Sequence, residues 1–299
     1  MALRIVRASE PIVVKNIVVG IYGAPGVGKT SLAYSADKTL LLDFDKGAHR
    51  AVGRKDTISV DSWSDVENID SADVAELNTI GVDTVGRLLD LKSLAIMDAD
   101  YKMCKGDSLS LQGFGALKSG YASWMSRVKS FGKDIVLLAH SDEQRRGDDT
   151  IDRMDIQGGT KNEVHKSCDA IGKLYFVNGK RKLSFSPTEA SLGKNSGNLP
   201  VLDVPDQKDN PHFLADVIQK IKDKLNELSD EQAEYAGVLT DWKQRIEDAL
   251  TPEDFNLLVL DAKDVDANLL QNVKRLIWAG SSEKGLKFDK TSGAFTSGA

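Results

Sequence analysis

Gly23-Ala24-Pro25-Gly26-Val27-Gly28-Lys29-Thr30 has the spacing GxxxxGK[ST], the pattern of a loop that wraps phosphates. Glycines let backbone amides close on a phosphate without Cβ clashes, and amides at the start of a following helix add donors and a favourable dipole. The expected cradle runs from Gly23 to Ser31. In it Lys29 reaches the β- and γ-phosphates of ATP and the Thr30 hydroxyl binds Mg2+.

A hydrolase built on such a loop needs a second carboxylate on the metal side and a group that orients water. Asp83 follows the apolar stretch LNTIGV and is the expected partner of Thr30 at Mg2+. Asp43 and Asp45 flank Phe44 at the end of TLLLDF, and period-2 alternation places both carboxylates on one side. Asp45 is then the group that polarises water. His140 ends DIVLLA at the height of the γ-phosphate, although a strand-end histidine is also a common structural residue.

These positions require strands that end together and helices between them. Residues 11–22 read as a strand, a turn and a second strand, 30–36 as helix, 39–44 and 77–82 as strands, 114–131 as helix and 134–139 as a buried strand. Alternation of this kind implies βαβ units, a mostly parallel sheet and helices on both faces. Residues 171–177 and 182–185 read as later strands joined at Asn178-Gly179, a hairpin signal. From about residue 205 the pattern turns helical. Expected helices cover 212–228, 229–250, 251–260 and 265–279. Their starts are marked by Ser229 with Gln232, Thr251 with Pro252, and Asp264. The expected organisation is an α/β core over 1–205, a helical module over 206–280 and a flexible tail over 281–299.

Composition sets outer bounds. The 299 residues are 41% hydrophobic and 28% charged, ordinary for a globular chain, and no apolar run approaches the roughly 20 residues that span a bilayer. Two cysteines, Cys104 and Cys168, offer no disulfide framework or zinc spacing. Met1–Arg7 precedes no apolar run of a secretory signal, so the expected location is the cytoplasm. A net charge of −6 excludes a globally basic nucleic-acid coat but not a local patch.

In order along the chain, IYGAPGVGKT, LLLDFDKGAHRA, VDTVGRLLD, DIVLLAHS, and Gly158-Gly159 followed by CDAIGKLYF resemble the RecA superfamily of recombination ATPases. The closer resemblance is to its phage-encoded, core-only branch of single-strand annealing proteins. The resemblance covers Ile12 to about Pro205. It implies a RecA-like P-loop NTPase fold, ATP hydrolysis at subunit interfaces of a filament or ring, and binding of single-stranded DNA. A single-strand-binding protein is a further candidate partner. Asp45 matches the family's water-orienting acid, with Asp where RecA itself carries Glu. His140 falls at the sensor, a glutamine in RecA. Lys194-Asn195-Ser196 resembles a Lys-Asn-Lys segment whose lysines reach a neighbouring subunit's γ-phosphate, with Ser196 in place of the second lysine.

The same resemblance aligns Lys102–Gly115 with a first DNA-binding loop and 142–161 with a second. The first lies in Tyr101–Lys133, where Lys102, Lys105, Lys118, Arg127, Lys129 and Lys133 face one acid, Asp107, and aromatic residues are interspersed. Cations among aromatics suit single-strand binding. Trp124 also fits a core position on a helix. In the second loop Arg145, Arg146, Arg153 and Lys161 are outnumbered by six acids. Two other functions use the same phosphate loop: a small-molecule kinase with Arg145-Arg146 on a lid, and a nucleotide-dependent interaction protein that does not hydrolyse.

Overall fold

The computed structural model describes residues 13–146, 149–156, 158–227, 230–289 and 292–297. It divides into two compact units, Val14–Leu225 and a second from Asn226 onward.

The first unit opens with β1 (Val18–Gly23) and α1 (Lys29–Ala33), followed by β2 (Thr39–Asp43), β3 (Asp56–Ser59), α2 (Ser64–Glu67), β4 (Thr79–Asp83) and α3 (Val85–Ala99). A short hairpin, β5 (Cys104–Lys105) and β6 (Ser108–Leu109), leads into α4 (Leu111–Ser130). Then come β7 (Asp134–Arg146), β8 (Asp149–Met154), α5 (Thr160–Ser167), β9 (Ala170–Val177), β10 (Lys180–Ser184), β11 (Leu202–Asp203) and α6 (Phe213–Leu225).

The sheet order is β11-β10-β9-β1-β7-β4-β2-β3, with β8 paired to β7. The six strands from β9 to β3 run parallel, and β10 and β11 are antiparallel additions at one edge. Parallel strands covered on both faces become continuous apolar runs, and β1, β2 and β4 are buried along their whole lengths. Strand alternation divides the core. Val18, Tyr22, Ile135 and Leu137 face α2 to α5, where Val66, Leu88, Trp124 and Val164 pack. Val19, Ile21, Val136 and Leu138 face Leu32 of α1 and Leu214, Val217, Ile218 and Ile221 of α6. At about 1.5–3 kcal/mol per buried aliphatic side chain, those four residues make α6 part of the α/β unit. The expected boundary at 205 therefore falls short of the one the contacts draw.

Other expectations change with the fold. A single strand, β1, stands where a strand, turn and strand were read over 11–22; residues 11 and 12 lie outside the described residues. The Asn178-Gly179 turn has φ of 50° and 75°, the paired positive values of a type I′ hairpin. Gly113 and Gly115 lie inside α4 rather than in a flexible loop. An added Cβ on Gly113 would meet the Met103 carbonyl oxygen at 2.4 Å, so close packing explains that glycine.

The second unit contains α7 (Asp230–Asp248), α8 (Pro252–Asp261), α9 (Ala267–Glu283) and a hairpin of β12 (Leu286–Asp289) and β13 (Ala294–Ser297). Trp242, Ile246, Phe255, Val273, Ile277 and Phe295 form its core. The stretch from Gly280, read as a flexible tail, instead completes α9 and supplies the hairpin. Phe295 is buried there, with its ring 4.9 Å from Trp278 and 5.8 Å from Phe255. Thr251 caps α8 in a reciprocal box with Asp254, and Pro252 follows it. Asp264 sits in a 3₁₀ turn (Ala262–Asp264) before α9 and does not cap it. The proposed Ser229 cap lies outside the described residues. Among the described residues no helix is long and apolar enough to cross a membrane.

Candidate active site

The sheet register decides which side chains meet. Gly23 at the end of β1 pairs with His140 of β7, and Asp83 of β4 pairs with Leu138 of β7 and with Asp43 of β2. Because β7 lies between β1 and β4, the phosphate loop, His140 and Asp83 converge at one end of the sheet. The loop turns back through Gly26 and Gly28, with φ of 78° and 95°, values that only glycine adopts readily. Gly23 is fixed by close approach, since a Cβ there would lie 2.2 Å from the Leu174 carbonyl oxygen of β9.

Lys29 is buried, and its Nζ donates to the carbonyls of Gly23 (2.9 Å) and Ala24 (3.0 Å). Burial lowers its pKa, while Asp83 and Asp45 favour its charged form. The Thr30 hydroxyl donates to Asp83 Oδ2 at 2.6 Å. Desolvation pushes the Asp83 carboxyl up to about 6, reinforced by Asp45 and Asp43 and opposed by the Thr30 hydrogen bond and Lys29. Two hard oxygen donors, the Thr30 hydroxyl and the carboxylate of Asp83, thus share one point, and burial disfavours the charged form of the latter unless a cation is present. That is a fitting pair of ligands for Mg2+.

Asp45 is held by three side chains, one from β7 and two from the start of α3. His140 Nε2 lies 3.0 Å from its Oδ2, Thr84 Oγ1 donates to Oδ1 at 3.4 Å, and Arg87 Nε stands 3.6 Å from Oδ1. The hydrogen bond from His140 is the largest influence holding Asp45 below the usual carboxylate range, with burial opposing it. His140 Nδ1 faces Lys29 Nζ at 3.4 Å. A carboxylate only accepts and an ammonium only donates, so the network assigns the proton of His140 to Nε2. Asp43 is bonded into its own turn and does not line the cleft that Asp45 and Asp83 share. Its two oxygens accept from the amides of Gly47 (3.0 Å) and Ala48 (2.9 Å), fixing the turn that carries the chain past Asp45. Ser31 lines the same cleft as Lys29 and Thr30, with its Oγ accepting from Val52 N at 3.0 Å.

These groups line a cleft of about 390 Å³ that includes Gly28, Lys29, Thr30, Asp45, Asp83 and His140. Arg50 also borders it. The sequence offered no separate signal for Arg50, Thr84 or Arg87; they follow the two acidic strand ends and reach the site only through the turns that the fold makes there. Lys194 is not brought to the cleft. Its ammonium donates to the Cys168 carbonyl at 2.6 Å, and its backbone bridges Ile171 of β9. Ser196 donates to the Asp169 carbonyl at 2.5 Å.

The two stretches aligned with DNA-binding loops take defined forms. Lys102 and Lys105 are exposed around the β5–β6 hairpin, with Tyr101 80% and Phe114 40% exposed beside them. Trp124 is a core residue, its Nε1 donating to the Val66 carbonyl at 3.1 Å, and Tyr121 is buried as well. The second stretch is a β-hairpin of β7 and β8, and Lys161 lies on α5. Arg145 and Arg146 lie on the backbone near its tip; their side chains are outside the described residues. Burial and the neighbouring Arg153 lower the pKa of Lys161, against Asp142. Lys161 and Arg153 also depress His165, after burial, so these three residues lie close together, with Asp142 beside Lys161. A Cβ added to Gly158 would lie 3.6 Å from the Phe114 ring, which puts the exit of the hairpin beside the start of α4.

A phosphate loop on β1, with a further strand inserted between it and the strand bearing the metal-side acid, defines a P-loop NTPase core. The family model of an AAA domain, AAA_24, matches residues 15–196, and the chain belongs to that family. It is an AAA-type P-loop NTPase domain followed by a helical unit. No curated protein matches the chain.

Proposed function

We propose that the chain is an ATP-dependent single-stranded-DNA-binding protein of the recombinase or annealing type, acting as a homo-oligomer and hydrolysing ATP to control its hold on DNA. The observation that carries this reading is the continuity of β7. The strand sets His140 between Lys29 and Asp45 and then runs on as the first arm of the hairpin to Arg146. At the hairpin base Asp155 N donates to the His140 carbonyl at 2.8 Å. Movement of Lys29 or Asp45 on nucleotide binding is thereby coupled to the hairpin and to the adjoining surface of Tyr101, Lys102, Lys105 and Phe114.

In the hydrolytic step the glycine loop and Lys29 hold the β- and γ-phosphates. Asp45, ionised through its hydrogen bond from His140, accepts a hydrogen bond from the attacking water and aligns it. Thr84 and Arg87 keep its other oxygen in place. Mg2+ held by Thr30 and Asp83 supplies charge neutralisation at the phosphate oxygens when bound. Exposed aromatics beside lysines suit stacking of unpaired bases with backbone neutralisation.

The test is the ATPase rate with and without single-stranded DNA, for wild type and Asp45→Asn. DNA is expected to stimulate the wild type, and the variant is expected to lose turnover by 100-fold or more, on the order of a general acid-base contribution, while still binding nucleotide. Phosphate transferred to a small acceptor, or turnover indifferent to DNA, would overturn the reading.

A further inference from the structure

The catalytic groups all lie to one side of the phosphate loop. His140, Asp83 and Asp45 come from β7, β4 and the end of β2, on one flank of β1, whereas β9 and β10 form the other flank. A nucleoside triphosphate whose γ-phosphate faces Asp45 and His140 must extend its α-phosphate and nucleoside the opposite way, toward β9 and β10.

That flank is built for such a group. The β9–β10 hairpin rises past the loop: β9 pairs with β1 only as far as Tyr22 opposite Lys173, and continues to Val177. In the hairpin register Phe176 pairs with Arg181 and Leu174 with Leu183, so these four side chains share one face. Leu174 and Leu183 are buried with Val27 and α1, which identifies it as the face that carries the loop. Next along it, Phe176 is 57% exposed. Arg181 lies against the loop itself, where a Cβ added to Gly28 would be 3.0 Å from its Nη1. The other end of the guanidinium is anchored, with Nη2 donating to the Pro205 carbonyl (2.8 Å) and to Asp206 Oδ1 (3.2 Å). An exposed ring next to an anchored cation, both beside the phosphate cradle, offers a stacking surface for a base and a positive partner for the α-phosphate.

We propose that Phe176 and Arg181 form the nucleoside subsite of this protein, Phe176 stacking on the nucleobase and Arg181 facing the α-phosphate. The subsite rests on the nucleotide-binding reading of the cleft. Stacking alone discriminates little between bases because every base has a π-face, so the hairpin predicts tight binding with weak choice between ATP and GTP.

The experiment is titration calorimetry of the full chain with Mg-ATP, Mg-GTP and Mg-tripolyphosphate, for wild type, Phe176→Ala and Arg181→Gln. Phe176 is exposed, so its truncation leaves the core intact. Phe176→Ala is expected to weaken both nucleotides about 10-fold or more, in keeping with the loss of one stacked base, and to leave tripolyphosphate unchanged. Arg181→Gln is expected to weaken ATP and tripolyphosphate alike, because the third phosphate of tripolyphosphate takes the place of the α-phosphate. Equal losses for ATP and tripolyphosphate in Phe176→Ala, or no loss for either, would overturn the subsite while leaving the phosphate loop standing. A wild-type chain that binds no nucleotide would overturn the nucleotide reading and the subsite with it.

Discussion

Lys29 is a cation surrounded by backbone carbonyls, a histidine nitrogen and two carboxylates, and its burial is tolerable because the carbonyls and the histidine nitrogen lie within hydrogen-bonding distance while the carboxylates favour its charge. Replacing it removes the only ammonium among the described residues that line the cleft. Lys29→Ala is expected to abolish hydrolysis and to weaken Mg-ATP strongly, as read by phosphate release and calorimetry. Turnover equal to wild type would mean that the loop does not hold the phosphates. His140 illustrates how a residue's role depends on its partners. At the end of an apolar run it has no distinctive signature, yet with Asp45 on one nitrogen and Lys29 on the other it links the strand-end carboxylate to the lysine of the glycine loop.

Elements are held in place by a few polar fixtures at their ends. Asp134 starts β7, accepts from the Ile17 amide at 3.0 Å and pairs with Lys222 of α6 at 2.6 Å, both side chains little exposed. Removing one partner leaves a nearly buried charge uncompensated. Asp134→Ala is expected to cost about 3–5 kcal/mol, measured by urea unfolding followed by tryptophan fluorescence; a loss under 1 kcal/mol would show that the pair does not anchor α6. In the second unit Asp254 accepts from the amides of Leu250 and Thr251, and these bonds hold its pKa below the ordinary value. A carboxylate depressed in the folded state contributes stability that is present above its unfolded pKa and is lost as pH falls through the folded one. The melting temperature of Asp254→Asn should therefore lie below wild type at neutral pH, with the gap closing below about pH 4. A gap that persists at pH 2.5 would assign the effect to something other than the carboxylate charge.

Over the whole molecule charge is unevenly distributed. Acids and bases balance through residue 225, and the net −6 belongs to residues 226–299. The α/β unit is thus neutral on average, with exposed Lys102 and Lys105 next to Tyr101 and Phe114. If these lysines contact phosphates, Lys102→Ala with Lys105→Ala should reduce the magnitude of the salt dependence of single-strand binding, log K against log salt concentration, by about 1.4, at roughly 0.7 per contact. Fluorescence anisotropy with an oligonucleotide at several salt concentrations reads this slope. An unchanged slope would remove both lysines from the interface.

The glycine loop, its lysine and threonine, and the strands that end in Asp83 and at Asp45 were legible in the sequence, because phosphate binding and buried parallel strands each impose a local pattern of residue types. The C-terminal helices were legible for the same reason, as amphipathic runs with local caps. What no local pattern carried was the outcome of long-range pairing. The order of strands puts β7 between β1 and β4, and this alone makes His140 a neighbour of Lys29 and Asp45. The turn after β2 withdraws Asp43 from the cleft. Packing on the sheet claims α6 for the α/β unit, and aromatic contacts turn the final residues into a folded hairpin. Phe176 and Arg181 looked ordinary in sequence, and only the antiparallel register beside the loop sets them together. Residue chemistry is written locally, but its proximity is set by contacts between segments far apart in the chain, which only the tertiary structure decides.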